Sequence, residues 1–460
     1  MDALALGKIA EWAKGAVENG DRNFIVTQLS TDSRTIARGE LFVPLRGENF
    51  DGHQFIEQAA KRGALGALVD YQWRGEAPTQ FALIRVADTL IGYQQIAASY
   101  RRSLSLKVIA ITGSNGKTST KDFVAAALGR RFRVTKTEGN FNNHVGLPRT
   151  MLNANSDDQI AVWEIGMNHP GEIAALAALA APDVAIITNV GVAHIEFMGS
   201  REAIAQEKGS LAEAIDASGT VILNADDPFS AVIAKRTRAR VILAGIQNGS
   251  IHAEDIRQSA SGSEFTILER AHRCRAQLPV PGLHMVQNAL FAVAAARVFA
   301  STLEEAAAGL ASTPLTKARL QIREIHGVQF IDDSYNANPD SMKAALRTLM
   351  EVEADGRRIA VLGQMNELGS ESDRGHRDVG EAAAALGIDQ LITVGSTAAA
   401  ISRAAHDAGL EKIAAVDSVE EATELLIDVA ARGDLILVKG SRSVQMERVL
   451  EEFSKREVAR

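Results

Sequence analysis

Between Gly113 and Ser119 the chain reads Gly-Ser-Asn-Gly-Lys-Thr-Ser, residue types whose spacing suits the grip of a phosphate chain. Gly113 and Gly116 permit a tight turn and close approach of phosphate to the backbone. Ser114 and Asn115 continue the turn, Lys117 adds a cation, and Thr118 and Ser119 add hydroxyls suited to Mg2+. Such a loop has to hang between a strand and the start of a helix. Val108 to Ile111 supply the apolar, β-branched run of an interior parallel strand. Helix start signals follow at once, so N–H groups and the positive end of the helix dipole face the turn. The usual Walker A spacing would put glycine at position 111, where Ile111 stands. On that ground a plain strand–helix turn with an exposed lysine stays open.

Further polar groups fall at predicted strand ends, where open parallel sheets collect ligands. Gly139-Asn-Phe-Asn-Asn143 follows a short strand, Glu164 ends another, and His194 lies just past a third. Glu164 suits Mg2+ but equally a helix cap or ion pair; His194 alone reads as a structural histidine. Lys208, on the helix after His194, reads from its own residue type as a solvated surface group. The densest polar cluster is Phe330-Ile-Asp-Asp-Ser-Tyr-Asn-Ala-Asn-Pro-Asp-Ser341. Asp332 and Asp333 suit a ribose or a cation, or the cluster is an Asx-rich turn with an N-cap before a helix opened by Pro339. Val438 to Gln445 carries charges suited to an anionic ligand.

The 460 residues exceed a single core. Net charge is −8 without a long basic block, which argues against nucleic acid or a membrane surface as partner. Cys274 is the one cysteine, so neither an intrachain disulfide nor a multi-cysteine metal site is possible. The first residues lack a basic segment followed by an apolar core, and the longest apolar stretch, 174–193, is broken by Pro182, Asp183, Thr188 and Asn189. No signal peptide or membrane insertion is expected, and a cytoplasmic protein is.

The expected fold is α/β in three domains. Residues 1–84 form a small α/β unit with polar loops at Thr31–Arg34 and Arg46–His53, for binding or for packing only. Leu4 to Val17 shows helical periodicity there. Residues 85–314 form a central parallel sheet around the phosphate loop, with a β-prone antiparallel excursion over 251–280. Residues 315–460 form a Rossmann-like, doubly wound sheet.

Taken in order, these motifs resemble those of the Mur ligases, ATP-dependent amide ligases of bacterial cell-wall synthesis. They are Thr112 to Thr118, Gly139 to Asn143, Glu164, Ala193 to Glu196, Glu207 to Gly209, Asn224 to Asp227, Gly282 to Ala289, Arg319 to Gln321 and Asp332 to Pro339. The shortened phosphate loop is the family's own form. Asp333 to Ser341, Gly363-Gln-Met-Asn-Glu-Leu-Gly369 and Lys439-Gly-Ser-Arg-Ser-Val-Gln-Met-Glu447 are similar to the member that joins D-Ala-D-Ala to UDP-N-acetylmuramoyl-tripeptide. Gln364 stands where that member usually has Asp.

The resemblance implies ATP and Mg2+ as cofactors, those two small molecules as substrates, an acyl-phosphate intermediate, and a monomer. Gly113 to Ser119 would hold ATP, with Lys117 on its β- and γ-phosphates, while Asn288, Arg319 and Asp333 would hold adenine and ribose. Thr118 and Glu164 would bind one Mg2+ and His194 and Lys208 a second, with Lys208 carbamylated. Lys117, His194 and Lys208 would then be the catalytic set. Ser33, Arg34, Arg46 and Gly47 would meet the UDP moiety. Asn140, Asn142, Asn143, Tyr335, Asn336 and Asn338 complete the implied substrate set.

Overall fold

The computed structural model describes residues 1–455, which pack as two compact units. The first comprises 1–110, 132–166 and 171–183; the second comprises 111–131, 167–170 and the described residues from 184 onward.

In the first unit a five-stranded sheet runs in the order Ala16–Asn19, Ala82–Val86, Gly66–Asp70, Glu40–Phe42, Gln28–Ser30. The first pair is antiparallel and the rest parallel. Phe42, Ala67, Val69 and Leu83 from its strands pack on Ile56 and Ala59 of a short helix. The helix expected over Leu4–Val17 spans only Leu6–Trp12. Lys14 takes a left-handed φ of 53°, and at Gly15 a Cβ would lie 2.7 Å from the Arg85 carbonyl oxygen. The chain turns there, and Ala16–Asn19 pairs as a strand instead. Val134–Lys136 and Ile160–Glu164 form a parallel pair that brings Glu164 to a strand end.

The strand Lys107–Thr112 begins in the first unit and ends in the second. In the second unit Val184–Ile187, Thr220–Asn224 and Arg240–Ala244 are parallel. The expected excursion is an antiparallel ribbon of Ile251–Ser259, Gly262–Glu269 and His272–Leu278. A six-stranded sheet follows in the order Gln321–Ile325, Val328–Asp332, Leu435–Lys439, Arg358–Gly363, Gln390–Val394, Ile413–Val416. Only its first pair is antiparallel. Phe330, Val361, Ile392 and Val438 from its strands pack with Leu426, Val449 and Phe453 from its helices. Parallel strands buried on both faces explain the continuous apolar runs in the sequence.

Candidate active site

The phosphate loop has the geometry its residues predict. Gly113 and Gly116 have φ of +154° and +81°. A Cβ on Gly113 would meet Thr188 Oγ1 at 1.8 Å, and one on Gly116 would meet Asn288 Oδ1 at 2.4 Å. Gly116 is the N-cap of the helix Lys117–Gly129 and no side chain caps it, so the first turn faces the loop as an anion site requires. Lys117 Nζ donates to the Gly113 carbonyl at 2.8 Å.

A second loop locks the first in place. Ser114 N–H donates to the Asn189 carbonyl (3.0 Å), and Asn115 N–H to Asn189 Oδ1 (2.9 Å). Gly191 N–H donates to Ser114 Oγ (2.9 Å), and Thr188 Oγ1 to the Asn115 carbonyl (2.5 Å). Behind this loop Asp227 accepts from Val190 N–H (2.7 Å) and Asn224 donates to the Thr188 carbonyl (3.1 Å). Asn189 carries this lock and was not singled out by residue type; its place just past a strand was the available signal.

Lys208 corrects the solvated reading: it is 1% exposed on the helix Arg201–Glu213. Burial lowers its pKa well below the ordinary lysine range, and the charge of Lys117 adds to this against Glu207. Burial and the neighbouring cation therefore both disfavour the charged form of the amine. His194 has a φ of 63°, and its Nδ1 lies 2.7 Å from Glu367 Oε2.

Asn288 is 4% exposed on the helix Leu283–Val298, against the phosphate loop. Arg319 donates to Thr118 Oγ1 at 3.0 Å and lies over the Tyr335 ring at 4.3 Å. Thr316 in the same segment donates to Asp122 Oδ2 through N–H (3.0 Å) and Oγ1 (2.7 Å). Of the two aspartates, Asp332 accepts from Ser334 Oγ (2.6 Å), while Asp333 faces Lys439 at 2.5 Å. Lys439 also donates to the Asn336 carbonyl at 2.9 Å. Near them burial pushes His284 down to about 4, with Asp333 opposing and Lys439 assisting. Asn338 is the N-cap of Pro339–Glu351, as the capping alternative expected, and also donates to Asn115 Oδ1 at 2.7 Å. Lys439, one of the charges read as suited to an anionic ligand, is engaged by Asp333, and His284 is a functional candidate that residue typing did not assign.

In the first unit, Glu164 is 3% exposed and accepts from Asn142 Nδ2 at 2.8 Å. Asn143 Oδ1 accepts from Gly146 N–H at 2.8 Å, a local turn, and Asn140 is exposed. Arg34 is bound to Asp32 (2.8 Å) with its side chain 78% exposed, and this hydrogen bond holds the Asp32 carboxyl down at about 2. Ser33 donates to Gln58 at 3.0 Å. Arg46 contacts Asp70 (3.0 Å) and Asp51 (3.2 Å), and Gly47 pairs with Phe50.

Thr118 and Glu164 offer the oxygen donors that Mg2+ prefers. The His194 imidazole and the Lys208 amine do not; a carbamate on Lys208 would. Among the described residues no three His, Cys, Asp or Glu side chains gather as a ready metal cluster.

Comparison with known proteins gives these features a lineage. Three family models match: Mur ligase family, catalytic domain, over 25–88; Mur ligase middle domain over 111–296; and Mur ligase, glutamate ligase domain, over 318–442. UDP-N-acetylmuramoyl-tripeptide--D-alanyl-D-alanine ligase of Bacillus subtilis is 38% identical over 97% of both chains. The Escherichia coli protein of the same name is 36% identical over 98% of both. A crystal structure of MurF from Acinetobacter baumannii superposes with a TM-score of 0.92 at 32% identity, covering 99% of this chain and 100% of that one. The MurF ligase of Thermotoga maritima in complex with ADP gives 0.84 at 28% identity, covering 93% and 97%. With family motifs, fold and near-complete alignment in agreement, the chain belongs to the Mur ligase family.

Proposed function

We propose that this protein is an ATP-dependent peptide ligase that joins D-alanyl-D-alanine to UDP-N-acetylmuramoyl-tripeptide in peptidoglycan precursor synthesis. The observation that carries the reading is the glycine-built phosphate loop with Lys208 buried on a helix of the same unit, its charged form disfavoured by burial and by Lys117. The substrates follow from the names of relatives aligned over almost the entire chain. Residues 1–84 would serve the UDP moiety through Ser33, Arg34, Arg46 and Gly47, residues 85–314 ATP, and residues 315–460 the amine; the spans of the three family models support that division.

The tripeptide carboxylate attacks the γ-phosphate, the bond to the β-phosphate breaks, and ADP leaves, giving an acyl phosphate; the amine of D-Ala-D-Ala then attacks that carbonyl, loses a proton, and inorganic phosphate leaves. Lys117 offsets charge on the moving phosphoryl group, the main demand of such a transfer. Asn288, Arg319 and Asp333 would orient the nucleoside, and Arg319 also donates to Thr118 Oγ1. Thr118 and Glu164 are the proposed ligands of one Mg2+, and His194 with a carbamylated Lys208 those of a second; the ions would neutralise phosphate charge. Lys208, whose charged form is disfavoured by burial so that the free amine able to react with CO2 is favoured, is proposed to carry a carbamate. A monomer in the cytoplasm completes the reading; no helix among the described residues is long and apolar enough to cross a membrane.

The test is phosphate release from ATP with purified UDP-N-acetylmuramoyl-tripeptide, with and without D-Ala-D-Ala. Release that needs both substrates is the expected result. Brisk hydrolysis with neither would replace the ligase reading with a nucleotide switch.

A further inference from the structure

The stretch Gly363-Gln-Met-Asn-Glu-Leu-Gly369 leaves the strand Arg358–Gly363, and none of the roles above uses its carboxylate. That carboxylate reaches the phosphate-loop side of the second unit. Glu367 Oε2 stands 2.7 Å from His194 Nδ1, off the ring's N–H direction, and that buried nitrogen has no hydrogen-bond partner. The backbone holds the approach: Glu196 N–H donates to the Glu367 carbonyl at 3.4 Å. A Cβ on Gly369 would lie 3.0 Å from the Glu196 side chain, so the loop is seated closely. Both partners adopt the left-handed backbone region, His194 at φ 63° and Glu367 at φ 60°. Non-glycine residues rarely hold that conformation, and two facing each other mark a geometry imposed by their surroundings. The Glu367 carboxyl is held below its ordinary range, first by His194, against burial, and also by the charge of Lys117.

We infer that Glu367 is a positioning residue for His194: a carboxylate oxygen 2.7 Å from Nδ1 repels a lone pair there, so the proton stays on Nδ1 and the lone pair on Nε2. A negative charge beside one imidazole nitrogen decides which of the two nitrogens carries the proton. Because Glu367 arrives on the 363–369 loop, seating of that loop prepares His194, and with it the nucleotide site. The catalytic consequence rests on the ligase reading; the tautomer does not.

The experiment uses full-length enzyme carrying 15N-histidine, without nucleotide, at pH 8.5, where an ordinary imidazole of pKa about 6.5 is neutral. The His194 signals are assigned by their loss in His194→Gln. The wild type should hold mainly the Nδ1–H tautomer. Glu367→Ala should shift it toward Nε2–H, and the isosteric Glu367→Gln, which can still accept through Oε1, should retain part of it. In phosphate release, Glu367→Ala should lose about 10- to 100-fold in kcat, the usual cost of removing such a partner, with KM for the UDP-substrate unchanged. Glu367→Gln should recover part of the loss and guards against a variant that does not fold. The same tautomer in wild type and both variants, or full kcat in Glu367→Ala, would overturn the inference. A shifted tautomer in an enzyme whose wild type fails to use the two substrates would sink the ligase reading and leave the positioning role standing.

Discussion

Gly116→Ala separates the two things that glycine does. Its φ of +81° places the new side chain in the left-handed region, and the Cβ would stand 2.4 Å from Asn288 Oδ1. The first effect costs about 1–2 kcal/mol for an L-residue. That corresponds to a thermal midpoint lower by roughly 2–8 °C for a domain of this order. The second effect cannot be relieved in place, since real Cβ contacts do not come that close, and Asn288 is 4% exposed with little room to turn. Its amide would leave the position proposed to hold adenine. Losing one buried polar partner costs about 1–3 kcal/mol, a roughly 5- to 140-fold weaker nucleotide complex. The control is Gly387→Ala, which carries the same kind of strain at φ +72° but meets nothing within 4 Å. Scanning calorimetry should show a lower midpoint in both variants. Titration calorimetry with ADP should show weakened binding in Gly116→Ala alone. Equal ADP affinity in the two variants would refute the reasoning, since the Asn288 contact would then be irrelevant to nucleotide.

Lys208→Met should remove a pH slope in stability. The folded pKa of Lys208 is depressed, so between it and the unfolded value of about 10.4 the unfolded chain binds more protons and wild-type stability rises with pH; thermal midpoints from pH 6 to 10 check this. Lys208→Ala should be almost inactive in phosphate release and partly restored by acetate, while Lys208→Arg, which keeps its charge, should fail with or without it; an active arginine variant indifferent to acetate would exclude the carbamate. Asn288→Ala should raise the KM for ATP about ten-fold and leave that for the UDP-substrate alone, whereas Arg34→Ala should weaken only the UDP-substrate in titration calorimetry. Asp333→Asn keeps the shape but removes the charge facing the buried Lys439, so it should lower the thermal midpoint as well as raise the KM for ATP; a KM change with no midpoint change would mean the pair adds nothing to stability.

The phosphate loop was legible because its logic is local. A β-branched strand, two glycines and a helix start lie within a dozen residues, and φ of +81° at Gly116 is what such a turn demands. The doubly wound sheet, the antiparallel ribbon and the helix opened by Pro339 were legible for the same reason: period, turn residues and caps are properties of short windows. What failed locally failed where a distant backbone intruded. The helical pattern of Leu4–Val17 stops at Trp12 because Gly15 lies against Arg85. Lys208 was misread because the exposure of a helix position depends on what packs over it, not on its own residue type. Asn189 gripping Asn115, 74 residues away, and Arg319 reaching Thr118, 201 residues away, have no counterpart in spacing. Residue types name the groups able to bind phosphate, cation or ribose. Which of them meet, which are buried and which charges reach one another depend on contacts between segments remote in the chain, and the perturbed lysine arises from those contacts alone.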